Sequence, residues 1–204
     1  MTARNERGAN GKVLRGEKLA AFRGERLVLS GIDLQVEAGG ALLLVGPNGS
    51  GKSTLLRLLA GLVRAEAGRL LWGAEDALAD LPSHARRVAY VGHLDAVKPG
   101  LTVSENLRFW GDPAPGLTAM GLDALADLPA RMLSAGQKRR VALARLAMTQ
   151  RVLWLLDEPT LGLDAASVAR FGDLLATHRA GGGLVVAATH LPLPLPGAIA
   201  LSLA

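Results

Sequence analysis

A glycine-rich segment, GPNGSGKST at residues 46–54, is the feature that most restricts how this chain can fold. It follows the continuous apolar run ALLLV and precedes KSTLLRLLAGL, in which leucines recur at helical spacing. A short apolar run is typical of a strand buried on both faces, and the leucine spacing is typical of a helix packed on one side. Strand, glycine turn and helix open a βαβ unit, so the sequence predicts an α/β fold.

The same segment matches the pattern G-x-x-x-x-G-K-[ST], in the strand–turn–helix context that the pattern requires. Its glycines let successive backbone N–H groups face one anion, at a helix N-terminus whose dipole favours negative charge. Lys52 can reach the terminal phosphates, and the Ser53 hydroxyl can bind Mg²⁺. A nucleotide is therefore expected to contact Gly46, Pro47, Asn48, Gly49, Ser50, Gly51, Lys52, Ser53 and Thr54.

A second chemical feature is the pair of carboxylates in VLWLLDEP, at residues 152–159. Asp157 ends an apolar run, where a buried carboxylate is costly unless it is paired or metal-bound, so we expect it to hold Mg²⁺. Glu158 is placed to polarise an attacking water. Beside a phosphate-binding loop, this pair predicts hydrolysis of a nucleoside triphosphate.

Composition argues against several other classes of protein. The 204 residues suffice for one domain with a sizeable core, and the absence of cysteine removes disulfides and thiolate metal sites and is consistent with a reducing compartment. The net charge of +5 is scattered in clusters of two or three residues, such as 138–140, and aromatic residues make up only 3% of the chain. We therefore expect a solvated basic surface and no nucleic-acid partner.

Membrane-spanning and targeting segments are not expected either. No run approaches the roughly 20 apolar residues that a spanning helix needs, and MTARNERGANGKV lacks the apolar stretch of a signal peptide. Any membrane role is therefore expected to depend on a partner protein.

The rest of the pattern predicts one domain over residues 1–204, with a loose start to about residue 15. Alternating apolar and polar residues around a Gly-Glu turn predict two short antiparallel strands near the start. Further strands are expected at GRLLWG, RVAYVG, RVLWLLD and GLVVAATH, the last being the final core strand. Helices are expected at about 136–149 and in AASVARFGDLLATHRA.

Between these elements lies a segment without strand character, at about 94–132. It contains SENLRFW and DALADL, which have helical patterns, so it is predicted to be a helical insert. The insert divides the core into residues 16–93 and 133–204.

Five motifs in order resemble the ATP-binding-cassette ATPases. They are GPNGSGKST, LSAGQ at 133–137, LLDEPT at 155–160, LGLD at 161–164 and a single histidine after the last predicted core strand. LSAGQ is similar to the family signature LSGGQ, with Ala135 in place of a glycine. The resemblance implies a P-loop NTPase core with an N-terminal antiparallel β-subdomain and a small helical insert, which binds ATP and Mg²⁺.

The resemblance also implies a partner, a second copy of the chain packed head to tail with two ATP molecules between the copies. Ser134 and the backbone of Gly136 would then contact the γ-phosphate bound by the opposite cassette, Gln137 would be a further ATP-binding residue, and Asp164 would lie at the interface. His190 would contact the γ-phosphate and the attacking water, as the family's switch histidine does. A single chain would hydrolyse ATP poorly.

Adenine recognition departs from the family pattern. The family stacks the base on an aromatic residue upstream of the phosphate loop, and alignment places Arg23 there, beside Phe22. Both are candidates, because an arginine plane can also stack on a base. Phe22 could equally be packed in its strand.

His93 follows VAYVG, where the family has a glutamine that reaches Mg²⁺ and water and connects the core with the helical lobe. A neutral imidazole can accept a hydrogen bond from water, so His93 is expected to take that role. Two alternatives stay open: a metal or haem ligand, which would need a second ligand nearby, and a structural histidine.

The pattern YVGH…LTVSENLRFW, together with LSAGQ and VLWLLDEP, resembles the ATPase subunits of the cytochrome c maturation systems. That resemblance implies a cassette that energises integral membrane transport subunits, docked on the helical insert, from the cytoplasmic face of the bacterial inner membrane. Hydrolysis would release haem from a chaperone, so haem would be only an indirect partner. The alternatives are the ATPase of another small exporter and a soluble cassette protein, although the latter usually carries coiled-coil insertions or two cassettes. A P-loop kinase leaves LSAGQ unexplained.

Overall fold

The computed structural model describes residues 13–203, which form two sheets and a helical region. Its strands are β1 (Leu14–Arg23), β2 (Arg26–Val36), β3 (Ala41–Val45), β4 (Ala67–Trp72), β5 (Glu75–Asp76), β6 (Val88–Val91), β7 (Leu153–Asp157), β8 (Leu184–Ala188) and β9 (Ile199–Ser202). Its α-helices are α1 (Lys52–Leu59), α2 (Leu81–Arg87), α3 (Val103–Arg108), α4 (Ala114–Met120), α5 (Ala135–Ala144) and α6 (Ala165–Ala180).

The larger sheet is parallel and has the strand order β6-β7-β8-β3-β9. Because its strands all run the same way, the carboxyl ends of β3, β6, β7 and β8 meet at one edge. The segments that follow these four strands carry the phosphate loop, His93, Glu158 and His190. Ligands of open α/β sheets bind in the crevice outside this edge, so the topology gathers the sequence motifs there.

Alternate residues of the parallel strands enter two different core clusters. Leu155 and Val186 belong to the cluster that includes the buried leucines of α1 and residues of the smaller sheet. Leu156 and Val185 belong to the cluster that includes α5, α6 and the helical insert. Both faces of the sheet are therefore covered, which is the reason that its strands read as continuous apolar runs.

The smaller sheet is antiparallel, with the order β2-β1-β4-β5. The β1–β2 pairing has register shifts between Gly16 and Leu19, between Leu19 and Ala21, and between Ala21 and Phe22. Such irregularities bend a strand and change the face to which successive side chains point. They therefore decide which residues near the hairpin turn face the site.

The α/β fold, the antiparallel N-terminal pair and the helical insert are confirmed. The two antiparallel strands are ten and eleven residues long rather than short. The loose start predicted to about residue 15 stays a prediction, because residues 1–12 lie outside the described part of the chain; β1 begins at Leu14. In the insert, α3 and α4 are short helices, and within DALADL only Asp123–Leu125 is helical, as a 3₁₀ turn.

Two other element predictions need correction. The helix expected at 136–149 is α-helical over Ala135–Ala144 and continues as a 3₁₀ helix over Arg145–Met148. Strand β8, which was predicted to be the final core strand, is followed by β9, which pairs with β3. The residues of β9 are exposed except Leu201, which is half-buried against the core, and the strand follows three prolines, so its local pattern is weak and its pairing with β3 decides its place. In residues 13–203, helices of the length and apolarity needed to cross a membrane do not occur.

Candidate functional site

A cavity of about 350 Å³ opens at the carboxyl edge of the parallel sheet. Its wall includes residues of the phosphate loop and the start of α1, namely Asn48, Gly49, Gly51, Lys52, Ser53 and Thr54. The structure brings these residues together with His93, Asp157, Glu158 and His190. Four segments that are far apart in sequence therefore share one cavity.

The phosphate loop is tightly closed around its own lysine. Gly51 has a φ of +96°, and a Cβ there would lie 2.7 Å from Leu29 Cδ2, so only glycine fits this turn before α1. Lys52 Nζ donates hydrogen bonds to Gly46 O (2.7 Å) and Pro47 O (2.8 Å). A phosphate that enters the loop would compete with these two carbonyls for the ammonium group.

Three residues of the phosphate loop that were expected to contact the nucleotide lie outside the cavity wall. Gly46, Pro47 and Ser50 do not line the cavity, although they belong to the loop. Ser50 Oγ is buried and has no hydrogen-bond partner within residues 13–203. A buried hydroxyl without a partner is costly, so a ligand or water that reaches the loop would satisfy it.

Asp157 and Ser53 present oxygen atoms to the same cavity. Asp157, at the end of β7, is only 4% exposed, and no hydrogen bond or ion pair to its carboxylate occurs in the described part of the chain. A buried carboxylate without a partner is unfavourable, and Mg²⁺ prefers few protein oxygen ligands completed by water and phosphate. The donor set fits such an ion.

Glu158 is held by the segment that follows β8. Its backbone is in the left-handed region, with a φ of +48°, and its N–H donates to Ala188 O (2.8 Å). Its Oε2 accepts hydrogen bonds from Thr189 Oγ1 (3.0 Å) and from the His190 N–H (3.3 Å). His190 Nε2 lies 3.8 Å from Oε1. The two residues expected to contact the attacking water are thus neighbours.

Thr189 is a residue at this site that the sequence analysis missed. It is 8% exposed, and its hydroxyl accepts a hydrogen bond from the Leu191 N–H (3.0 Å) while it contacts Glu158. A hydroxyl residue directly after a buried strand, and before the histidine, was the available signal. Sequence alone did not reveal that this strand end lies beside Glu158.

His93 follows β6, is exposed and faces the cavity. It shares the cavity with Asp157, Glu158 and His190, which is the position needed by a residue that contacts water or phosphate. Clusters of three or more His, Asp or Glu side chains suited to a metal are not found within residues 13–203. The metal-ligand alternative for His93 therefore gains no support from its surroundings.

The cavity is also lined by the β1–β2 hairpin. Arg23 lies there, as do Arg26 and Val28, which the sequence analysis did not single out. Phe22 is 43% exposed and is not among the lining residues, so the structure does not bring it to the site. The register shift beside Phe22 sets which of these neighbours faces the cavity.

The signature segment lies at a separate cavity of about 430 Å³. Ser134 caps α5: its hydroxyl accepts a hydrogen bond from the Gln137 N–H, and the Gln137 side chain accepts one from the Ser134 N–H. Gly136 and Asp164 line the same cavity. Hydrogen bonding from Ser167 lowers the pKa of the Asp164 carboxyl group, which caps α6.

The prediction that the basic residues 138–140 lie on a solvated surface is wrong for Arg139. Arg139 is 4% exposed, and its guanidinium donates to backbone carbonyls, including Asp157 O (2.7 Å). Helix α5 buries this face against the end of β7, which three consecutive cations in a sequence do not reveal.

The chain matches the family model described as "ABC transporter" over residues 29–161. It is 53% identical over 199 residues to the "Cytochrome c biogenesis ATP-binding export protein CcmA" of Rhodospirillum rubrum, covering 94% of this chain and 85% of that protein. A protein of the same name from Paramagnetospirillum magneticum is 51% identical, with 92% of each chain covered.

Solved structures agree on the fold. A putative ABC transporter ATP-binding protein from Pyrococcus furiosus has a TM-score of 0.80 at 20% identity, covering 94% of this chain and 97% of that one. A nucleotide-free ATP-binding cassette from an ABC transporter has a TM-score of 0.74 at 25% identity, covering 87% and 81%. The chain belongs to the ATP-binding-cassette family of transporter ATPases, within the group that contains these cytochrome c biogenesis ATP-binding export proteins.

Proposed function

We propose that the chain hydrolyses ATP with Mg²⁺ in the 350 Å³ cavity and thereby drives a membrane complex of cytochrome c maturation. Membership of an ABC ATPase family carries the ATPase activity. The observation that supports the assignment of residues is the convergence of four strand ends on one cavity. The largely buried residue Asp157 faces this cavity, and its carboxylate has no hydrogen bond or ion pair in the described part of the chain.

Binding begins at the phosphate loop. Lys52 leaves the carbonyls of Gly46 and Pro47 and pairs with the terminal phosphates, while the loop N–H groups at the start of α1 face the same anion. Ser53 and Asp157 would hold Mg²⁺, which would neutralise charge on the phosphates. Arg23 forms part of the wall at the base end of the cavity.

Hydrolysis requires a water oriented towards the γ-phosphate. Glu158 accepts the water's hydrogen bond, and its carboxylate is kept in place by Thr189 and by the His190 N–H. The His190 ring contacts the γ-phosphate and the water, and His93 contacts the water from the β6 side of the cavity. Orienting groups of this kind act mainly by positioning.

The complete site needs a second copy of the chain. Ser134, Gly136 and Gln137 lie at or beside the start of α5, in a cavity distinct from the one that holds Lys52. In a head-to-tail dimer these groups contact the γ-phosphate bound by the partner copy, and Asp164 lies between the copies. A helix start with N–H groups directed at an anion suits that role.

The shared printed name of the relatives supports cytochrome c maturation over another small exporter or a soluble cassette protein. The cassette would attach from the cytoplasmic face of the bacterial inner membrane to integral membrane subunits, through its helical insert. Hydrolysis would release haem from its chaperone on the other side. No residue of the chain is assigned to haem, which is a partner only through the complex.

Complementation tests this proposal. A bacterium that lacks its own cytochrome c maturation ATPase receives this chain with its cognate membrane subunits, and covalent haem attachment is measured by haem staining of c-type cytochromes. We expect attachment to return with the native chain and not with Glu158→Gln, the matched control. A complex that hydrolyses ATP but yields no c-type cytochrome would contradict the proposed transport role.

A further inference from the structure

The Arg139 side chain joins helix α5 to the end of β7. Nε donates to Pro159 O (3.1 Å), and Nη2 donates to Asp157 O (2.7 Å) and Glu158 O (2.8 Å). These three carbonyls belong to the segment that carries Asp157 and Glu158. Helix α5 is thereby attached to the backbone on which those two carboxylates are mounted.

The remaining nitrogen of Arg139 faces the segment that follows β6. Nη1 donates to Gly92 O (2.8 Å) and forms an ion pair with Asp95 Oδ1 (3.0 Å). Gly92 and Asp95 flank His93, so the segment is fixed on both sides of it. With these contacts, all five N–H groups of the guanidinium have acceptors.

Asp95 contributes the only side chain among these five acceptors. Its side chain is 26% exposed, whereas that of Arg139 is 5% exposed. The Asp95 charge also acts on a second cation, Arg145. Burial lowers the pKa of Arg145, and the Arg139 charge lowers it further, whereas the Asp95 charge raises it. Asp95 therefore balances two basic side chains at the edge of the insert.

We propose that Arg139 and Asp95 are positioning residues, whose ion pair holds the segment 92–95, and with it His93, at the ATP cavity beside Glu158. This inference rests on the proposed role of His93 in hydrolysis. Three backbone carbonyls of residues 157–159 hold Arg139 independently of Asp95. Removal of the Asp95 carboxylate therefore leaves Arg139 attached to the end of β7, while the His93 segment keeps only the hydrogen bond through Gly92 O and loses its attachment on the other side of His93.

The test measures ATP turnover by the full-length chain with Asp95→Ala. We expect kcat to fall about tenfold while KM for ATP changes less than about twofold, because the phosphate loop is untouched and only the orientation of a catalytic group is lost. Asp95→Asn keeps an oxygen that accepts from Arg139 Nη1, so its kcat should be intermediate. Glu17→Ala, which breaks the more exposed pairs with Arg15 and Arg69, is the control and should keep native kcat.

A double-mutant cycle with His93 separates positioning from general destabilisation. Asp95→Ala should cause little further loss of kcat in a His93→Ala background, because it acts through His93. His93→Gln, which restores the residue usual in the family, should keep most of the activity. Asp95→Asn provides a second variant if Asp95→Ala does not fold.

Each other outcome identifies which inference fails. If His93→Ala loses activity and Asp95→Ala does not, the positioning role is wrong and the proposed role of His93 stands. If the effects of the two substitutions simply add, Asp95 acts elsewhere and the positioning role is again wrong. If His93→Ala retains native turnover and supports native cytochrome c maturation, the role of His93 fails, and the present inference fails with it.

Discussion

At the scale of single residues, the phosphate loop shows how local sequence sets chemistry. Lys52 is 9% exposed. Its ammonium group donates hydrogen bonds to two carbonyls of the loop and not to an acidic side chain. Its charge is therefore available to an incoming anion.

Lys52→Ala should weaken ATP binding by at least about tenfold, which corresponds to the loss of about 1.4 kcal/mol or more of binding free energy. The physical reason is the removal of a positive charge that lines the cavity. Isothermal titration calorimetry measures the dissociation constant. Lys18→Ala, which removes an exposed lysine paired with Asp33, is the control, and unchanged affinity in Lys52→Ala would contradict the phosphate-loop assignment.

At the scale of elements, His84 connects helix α2 to α1 and β4. The Trp72 indole N–H donates to His84 Nδ1 (3.0 Å), so the opposite ring nitrogen, Nε2, carries a proton and donates to Leu59 O (2.8 Å). The neutral ring uses both nitrogens, and protonation of Nδ1 would place two donors against each other. Burial lowers the pKa of His84 from its ordinary value of 6.5.

This arrangement predicts a stability that depends on pH. Below about pH 6.5 the unfolded chain binds a proton at His84 that the folded chain does not, so the free energy of unfolding decreases as the pH falls. His178, which stacks on Trp154 and whose pKa is also lowered by burial, contributes in the same direction. Each histidine contributes a slope of up to about 1.4 kcal/mol per pH unit.

Urea unfolding at several pH values between about 5 and 7.5 measures this slope. His84→Gln removes one titrating ring, so the variant should show a smaller dependence than the native chain below about pH 6.5. Equal slopes in the two proteins would mean that His84 is protonated as readily in the folded state as in the unfolded one.

At the scale of the whole molecule, the proposed ATP site is divided between two cavities of one chain. The cavity that contains Lys52 and Glu158 and the cavity that contains Ser134 and Gly136 are separate. Each cavity is open to solvent on the described part of the chain, and both carry groups suited to phosphate. In the proposed head-to-tail dimer, two copies place both sets of groups on one nucleotide.

Glu158→Gln should therefore bind ATP, form a stable dimer and hydrolyse at a small fraction of the native rate. Glutamine keeps the size of the side chain but does not accept the water's proton. Light scattering with ATP measures the mass, and phosphate release measures turnover. Adding Lys52→Ala should abolish the ATP-induced dimer; a monomeric Glu158→Gln chain with ATP bound, or full turnover, would contradict the prediction.

Most elements of the larger sheet were predictable because their signals are local. β3 and β7 are continuous apolar runs covered on both faces, and α6 occupies the stretch whose pattern predicted it. β9 was not predictable, because an edge strand with exposed side chains is stabilised by pairing with β3 and not by its own pattern.

The sequence alone determined the chemistry that sits at strand ends: a glycine turn with Lys52, the carboxylates of Asp157 and Glu158, and the signature segment at a helix start. These signals need only short-range order, since glycine conformation and helix capping act within a few residues.

Only the tertiary structure decided which other side chains join them. Register shifts in β1 place Arg23, and not Phe22, on the cavity wall, because a one-residue slip exchanges the two faces of a strand. Arg139 belongs to a run of three cations in the sequence. Because α5 packs against the end of β7, its side chain is buried and donates to five acceptors. Parallel strand order brings Thr189 to Glu158, a contact between residues 31 apart in sequence.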